Sequence, residues 1–256
     1  MRQTGAKGLE VWSVDVTQTA VERIRELVAS GTLAPGVRLP PEPELAAQLG
    51  ISRGSLREAV RVLAHARVLD VRRGDGTYVT SLEPSLLLSG LSFVTDLMQG
   101  PTLLEVFEVR RLLEPAATAL AAERIGPEQI DELRASLARM RASSDPTEQI
   151  SLDVEFHALV AASTGNQTLC TVLKAMSSRA LRARMWRGYA ESSKMTWSLD
   201  QHDQIITALE ARNATLAQAA ATVHLAASEG WLKEFVREEA LAVGAALDPA
   251  ELAVGR

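Results

Sequence analysis

Between Thr17 and Pro40 the apolar positions Val21, Ile24, Leu27 and Val28 recur at three- and four-residue spacing, which predicts a helix ended by Gly31 ahead of a Pro35-Gly36 turn. The next apolar set, in PEPELAAQLGISRGSLREAVRVLAHARVL, is interrupted at Gly50. Pro43 can open a short helix to Leu49, Gly50 turns the chain, and Ser52 is placed to cap a second helix from about Arg53 to Ala66. Two short helices across a tight glycine turn form a helix-turn-helix pattern. In LDVRRGDGTYVTS the period changes to two around Gly74-Asp75-Gly76, as a β-hairpin requires. Residues 1–80 therefore read as a winged helix-turn-helix domain.

After Ser81 the period of two disappears. Helical runs at 84–98, 102–125, 127–142, 147–163, 166–189, 197–212 and 214–240 are separated by breakers such as Gly100-Pro101 and Gly126-Pro127. Each run carries apolar residues at helical spacing, which predicts an all-helical antiparallel bundle over residues 81–256. The expected fold class is mainly α, with an amino-terminal winged helix-turn-helix followed by that bundle. Residues 1–14 and the tail after about Ala240 carry no assignable role.

Composition narrows the class. With 256 residues, 46% apolar and 23% charged, the chain is long enough for two domains and ordinary for a soluble protein. It contains no run of eighteen apolar residues, and MRQTGAKGLEVWSVDV lacks the apolar core of a signal peptide, so a cytoplasmic protein with no membrane partner is expected. The single cysteine, Cys170 in TLCTVL, excludes a disulfide framework and reads as a core residue.

The net charge of −5 is unevenly shared: residues 1–80 hold 11 Lys+Arg against 9 Asp+Glu. Between Arg53 and Arg73 six arginines face only Glu58 and Asp70, a basic patch suited to a polyanion. In a winged helix-turn-helix the second helix enters the major groove by its first turn, which directs Ser52, Arg53, Ser55 and Arg57 to DNA. The arginines can grip phosphates or present a fork to guanine, and the serines suit phosphate oxygens. Arg72 and Arg73 fall at the wing tip. The competing reading is a small helical domain with solvated arginines.

Three of the four histidines, His157, His202 and His224, lie on different bundle helices. Asp153 stands one turn before His157, on the same helix face. One carboxylate and three imidazoles projecting inward suit a divalent transition ion, but Asp153 and His157 alone would equally make a surface pair.

The run LAPGVRLPPEPELAAQLGISRGSLREAVRVL, followed by VRRGDGTYV, resembles the amino-terminal domain of the GntR family of bacterial transcription regulators. The resemblance places Arg53, Arg57 and the wing pair Arg73-Gly74 on the family's DNA-contacting positions. It also shows two departures: Pro43 stands where the family has a DNA-contacting arginine, and Arg67 where it has a glycine before the hairpin. FEVRRLLEPAATALAAERI, DVEFHALVAASTGN and HDQIITALEARNATLAQAAATVHL resemble the FCD ligand-binding domain of the FadR-like branch. That resemblance implies a metal centre of Asp153, His157, His202 and His224, and an effector-pocket role for Arg110, whose alternative is an ion pair with Glu108 or Glu114. Trp186 and Tyr189 are candidates for the same pocket or for packing.

The resulting expectation is a homodimeric regulator of double-stranded DNA with an inverted-repeat operator. Its affinity would be controlled by a small organic acid bound at a metal, zinc first, with nickel and manganese as alternatives. Repression and activation are not separable from the sequence. Two rival readings are a metal-dependent hydrolase carried by a DNA-targeting domain, and a regulator without metal that takes a larger acyl ligand.

Overall fold

Ile24, Leu56 and Leu63, drawn from two helices, meet in one apolar core in the computed structural model of the chain, which describes residues 9–98, 101–177 and 194–246. The chain divides into two compact units, residues 1–87 and 88–256.

The first unit begins with α1 (Leu9–Ala29). This helix starts well before Thr17, because no glycine or proline interrupts the chain between Leu9 and Ala29. Helix α2 (Glu42–Leu49) follows, with Pro43 in its first turn. Gly50 ends it at φ 62°, ψ 37°, a left-handed conformation that glycine adopts without a Cβ penalty. Helix α3 (Arg53–His65) is opened by Ser52, whose Oγ accepts from the Ser55 amide at 3.0 Å. Its buried face is Leu56, Ala59 and Leu63; its outward face carries Arg53, Arg57 and Arg61. Each fully buried leucine or isoleucine of such a core stabilises by about 1.5–3 kcal/mol.

Strands β1 (Leu69–Arg72) and β2 (Gly76–Val79) form the hairpin, with Leu69 opposite Val79 and Arg72 opposite Gly76. Residues 36–39 run alongside β2. The Leu39 amide donates to the Thr77 carbonyl at 2.8 Å, the Val79 amide to the Val37 carbonyl at 2.9 Å, and Arg38 bridges Tyr78. The described wing thus has a third, short backbone partner that local periodicity did not reveal.

The expected run 84–98 is two helices, α4 (Pro84–Leu87) and α5 (Ser89–Leu97). Leu88, at φ −95° and ψ 7°, breaks the helical path beside Ser89 and Gly90, both poor helix formers. The second unit continues with α6 (Pro101–Arg124), α7 (Pro127–Ala142), α8 (Pro146–Ala162), α9 (Gln167–Met176), α10 (Lys194–Glu210) and α11 (Ala214–Ala246). Pro115 lies inside α6 and forfeits one intrahelical hydrogen bond. The end of the expected run 166–189 lies outside the described residues, as do Trp186 and Tyr189.

Helix α6 packs against α8, α9, α10 and α11. The main core joins Ala121, Leu133, Leu137, Phe156, Ile206 and Leu209. Leu103, Val106 and Phe107 of α6 meet Leu225 and Leu232 of α11 in a second cluster. Cys170 is buried beside Ala117, Ala161 and Leu173, as its apolar setting led one to expect. No described helix is long and apolar enough to cross a membrane.

Candidate DNA interface and metal centre

The start of α3 presents Ser52, Arg53, Ser55 and Arg57 together. Ser52 and Arg53 are exposed; Ser55 is half-buried, and its Oγ lies 2.9 Å from Ser52 Oγ. Arg57 is exposed and donates Nε–H to Glu42 Oε2 at 2.8 Å, tying α3 to α2. Arg73 and Gly74 form the hairpin turn, and the Asp75 amide closes it onto the Arg72 carbonyl at 3.1 Å. A groove of about 600 Å³ separates this turn from α3; Arg73 and Gly74 line one wall, Leu56 and Val60 the other, with Glu42 at its end.

Arg72 does not share the outward attitude of its neighbour. Its Nε donates to Asp70 Oδ2 at 2.9 Å, and its guanidinium lies 4.2 Å from the centre of the Tyr78 ring. The hydrogen bond to Asp70 raises its pKa above the ordinary arginine value.

The second unit brings the Asp/His set together. Asp153 and His157 come from α8, His202 from α10 and His224 from α11. Asp153 is 2% exposed, His202 0% and His224 1%, so the cluster lies inside the helical packing. Nitrogens of the three histidines all lie within 4.8 Å of one another. Asp153 Oδ1 stands 3.4 Å from His202 Nε2 and 3.7 Å from His157 Nε2.

The Asp153 separations are of the size a shared metal ion requires, and the histidine nitrogens lie in a looser cluster around the same place. Two ligand atoms bound tetrahedrally at about 2.1 Å stand about 3.4 Å apart, close to the Asp153 contacts. Contacts of this length are long for direct N–H···O bonds, whereas they suit donors arranged about a common centre.

Two residues stand behind the histidines: Gln201, which the sequence reading did not name, and Glu114, which it named only as a partner for Arg110. Gln201 is buried, and its Oε1 lies 3.1 Å from His224 Nδ1. With Oε1 accepting, Nδ1 carries the proton and Nε2 the lone pair that a metal needs. Glu114 of α6 is buried too, with Oε2 3.7 Å from His157 Nδ1. Its Oε1 accepts from Arg110 Nε and from Ser177 Oγ at 3.3 Å. Arg110 is fully buried, with its guanidinium 4.8 Å from the Phe107 ring centre. The ion pair with Glu114 named as an alternative for Arg110 is therefore formed. The available signals were the four-residue spacing of 110 and 114 and the adjacency of Gln201 to His202.

A winged helix-turn-helix followed by a helical unit with an Asp/His cluster points to a class, the DNA-binding transcription regulator with a second, helical domain. Comparison with known proteins names the family. The pattern of bacterial regulatory proteins of the gntR family matches residues 16–79, and that of the FCD domain matches residues 105–227. The Uxu operon transcriptional regulator of Escherichia coli (strain K12) is 32% identical over 220 residues, covering 83% of this chain and 84% of the relative. The Galactonate operon transcriptional repressor of the same organism is 29% identical over 228 residues, covering 87% and 99%. Among solved structures, Streptococcus agalactiae GntR is similar at 31% identity with a TM-score of 0.59, covering 84% of this chain and 98% of that one. The chain belongs to the GntR family, in the branch that carries an FCD domain, and is a DNA-binding transcription regulator. The matched families and these relatives are regulators, not enzymes, and lend the hydrolase reading no support.

Proposed function

We propose that this protein is a homodimeric repressor whose grip on an inverted-repeat operator is controlled by a small organic acid bound in the helical unit, at a centre made by Asp153, His157, His202 and His224. The observation that carries the reading is the convergence of the three histidines from three helices, His202 and His224 buried and His157 half-buried, with buried Asp153 beside His157 and His202. A divalent transition ion held by them, zinc first with nickel or manganese as alternatives, supplies Lewis-acid positions for a carboxylate oxygen. Arg110, linked to His157 through Glu114, is the cation that holds the acid's other polar end. Similarity to a repressor of a galactonate operon supports both the direction of control and the ligand class, since galactonate is a hydroxy acid. This choice of a metal centre sets aside the metal-free acyl pocket, because a bulky apolar tail gains nothing from a buried carboxylate and three imidazoles.

Residues 1–80 form the DNA-binding domain in this reading, and 81–256 the effector and dimerisation domain. Ser52, Arg53, Ser55 and Arg57 face the major groove, with Arg73 and Gly74 following the adjacent backbone. Arg53 sits in the first turn of α3, where the helix dipole disfavours a cation until a phosphate joins it. Arg57 exchanges its exposed pairing with Glu42 for DNA, at little cost because such surface pairs contribute about 0–1 kcal/mol. Control requires the acid to bind one arrangement of the dimer better than another; equal affinity for both would switch nothing.

The test is a duplex selected from a random library at fixed salt, bound by metal-loaded protein and challenged with a panel of small hydroxy acids. An inverted repeat is expected, released by at least one acid in the parent protein and by none in His202→Ala, which should also lose bound metal. Unchanged metal stoichiometry in His202→Ala would break the ligand assignment, and enrichment of an asymmetric site would break the dimer reading.

A further inference from the structure

On the helix-turn-helix and wing face of the first unit Arg38, Arg53 and Arg73 are exposed and form no ion pair among the described residues, a state they share with Arg23, Arg25 and Arg67, whereas Arg57, Arg61 and Arg72 are each held by a carboxylate. Arg53 and Arg73 have the places the DNA reading gives them, at the start of α3 and at the wing turn. Arg38 was singled out by no pattern in the sequence.

Its position follows from the backbone. The 36–39 segment hydrogen-bonds along β2, so Arg38 is fixed opposite Tyr78. Its side chain then runs from the level of Tyr78 towards the hairpin turn and lies across Gly76. A Cβ built on Gly76 would stand 2.6 Å from Arg38 Nε, 3.1 Å from Nη2 and 3.2 Å from Cζ. The space that Gly76 leaves is therefore the seat of the Arg38 guanidinium. Arg72, opposite Gly76 in the hairpin, is turned the other way, back to Asp70 and Tyr78. Arg38 thus brings to the tip of the wing the charge that Arg72 withholds from it.

We propose that Arg38 is a DNA-contacting residue of the wing, binding a phosphate of the duplex backbone beside Arg73. Its lack of a carboxylate partner leaves the full charge available. Its seat over Gly76 and the bridged backbone reduce the freedom it must give up on binding. A single guanidinium on a phosphate adds affinity without reading sequence, so its signature is electrostatic.

The assignment rests on the reading of α3 and the wing as the DNA face, and the experiment separates the two. Binding of the full chain to a fluorescein-labelled random-sequence duplex is measured between about 50 and 200 mM salt, for the parent, Arg38→Gln, Arg38→Lys and Arg53→Ala. Arg38→Gln is expected to reduce the slope of log K against log salt by about 0.9 in magnitude, the value of one phosphate contact, while Arg38→Lys keeps it. An unchanged melting curve for Arg38→Gln establishes that the hairpin is intact. If Arg53→Ala lowers affinity and slope but Arg38→Gln changes neither, the role of Arg38 is overturned and the DNA face stands. If neither substitution changes binding, the DNA face itself is wrong and Arg38 falls with it.

Discussion

Glu114 stands between Arg110 and His157: its Oε1 accepts from Arg110 Nε, and its Oε2 lies 3.7 Å from His157 Nδ1. A carboxylate in this place does two jobs. It neutralises a guanidinium that is fully buried, and it faces the outer nitrogen of an imidazole proposed as a metal ligand.

Glu114→Ala is therefore expected to act on both stability and metal affinity. Removing the ion-pair partner of a buried charge costs about 3–5 kcal/mol, read as a lower urea midpoint of the metal-free protein. Metal affinity in competition with a chelator should fall roughly 10–100-fold. Normal stability with normal metal affinity would show that Arg110 and His157 are held by other groups.

Gln201 provides a cleaner test, because it carries no charge. Gln201→Met keeps the side chain's length and removes the acceptor facing His224 Nδ1. The proposed centre should still bind one ion per chain at saturation, with affinity lowered about 10–100-fold as the imidazole loses its fixed tautomer. A titration indistinguishable from the parent's would remove Gln201 from the centre.

The helix-turn-helix was legible because its determinants are local. Gly50 needs only its own backbone conformation, and Ser52 only the amide three residues on. The Asp153–His157 pair was legible for the same reason. Bringing in His202 and His224 depended on a family resemblance, since no single-helix period encodes how α8, α10 and α11 pack. Gln201 and Asp203 flank His202 equally in sequence. Packing decides between them: Gln201 is buried against His224, while Asp203 pairs with Arg134 at 2.9 Å. Arg38 was invisible because its partner Tyr78 is brought beside it only by the folded wing.

Ser52 carries two readings that stability can separate. As the cap of α3 it satisfies the Ser55 amide in the absence of DNA. Ser52→Ala should therefore cost about 1 kcal/mol in reversible unfolding, and Ser52→Gly only a few tenths. Equal stability of all three proteins, with weakened operator binding, would make Ser52 a DNA contact alone.

Arg67 occupies the turn between α3 and β1 at φ 61°, the left-handed region, where the resemblance places glycine. The arginine takes the backbone conformation that glycine favours: its amide donates to the Ala64 carbonyl at 3.1 Å, and its carbonyl accepts from Thr80 Oγ1 at 2.8 Å. A side chain in this conformation costs about 1–2 kcal/mol, and glycine returns about 0.4–1 kcal/mol of that through the greater freedom of the unfolded chain. Arg67→Gly is thus expected to stabilise by about 0–1.6 kcal/mol in urea unfolding, with the salt slope of binding to a random-sequence duplex unchanged. A slope lowered by about 0.9 would instead show that Arg67 reaches a phosphate, making the strained turn the cost of a DNA contact.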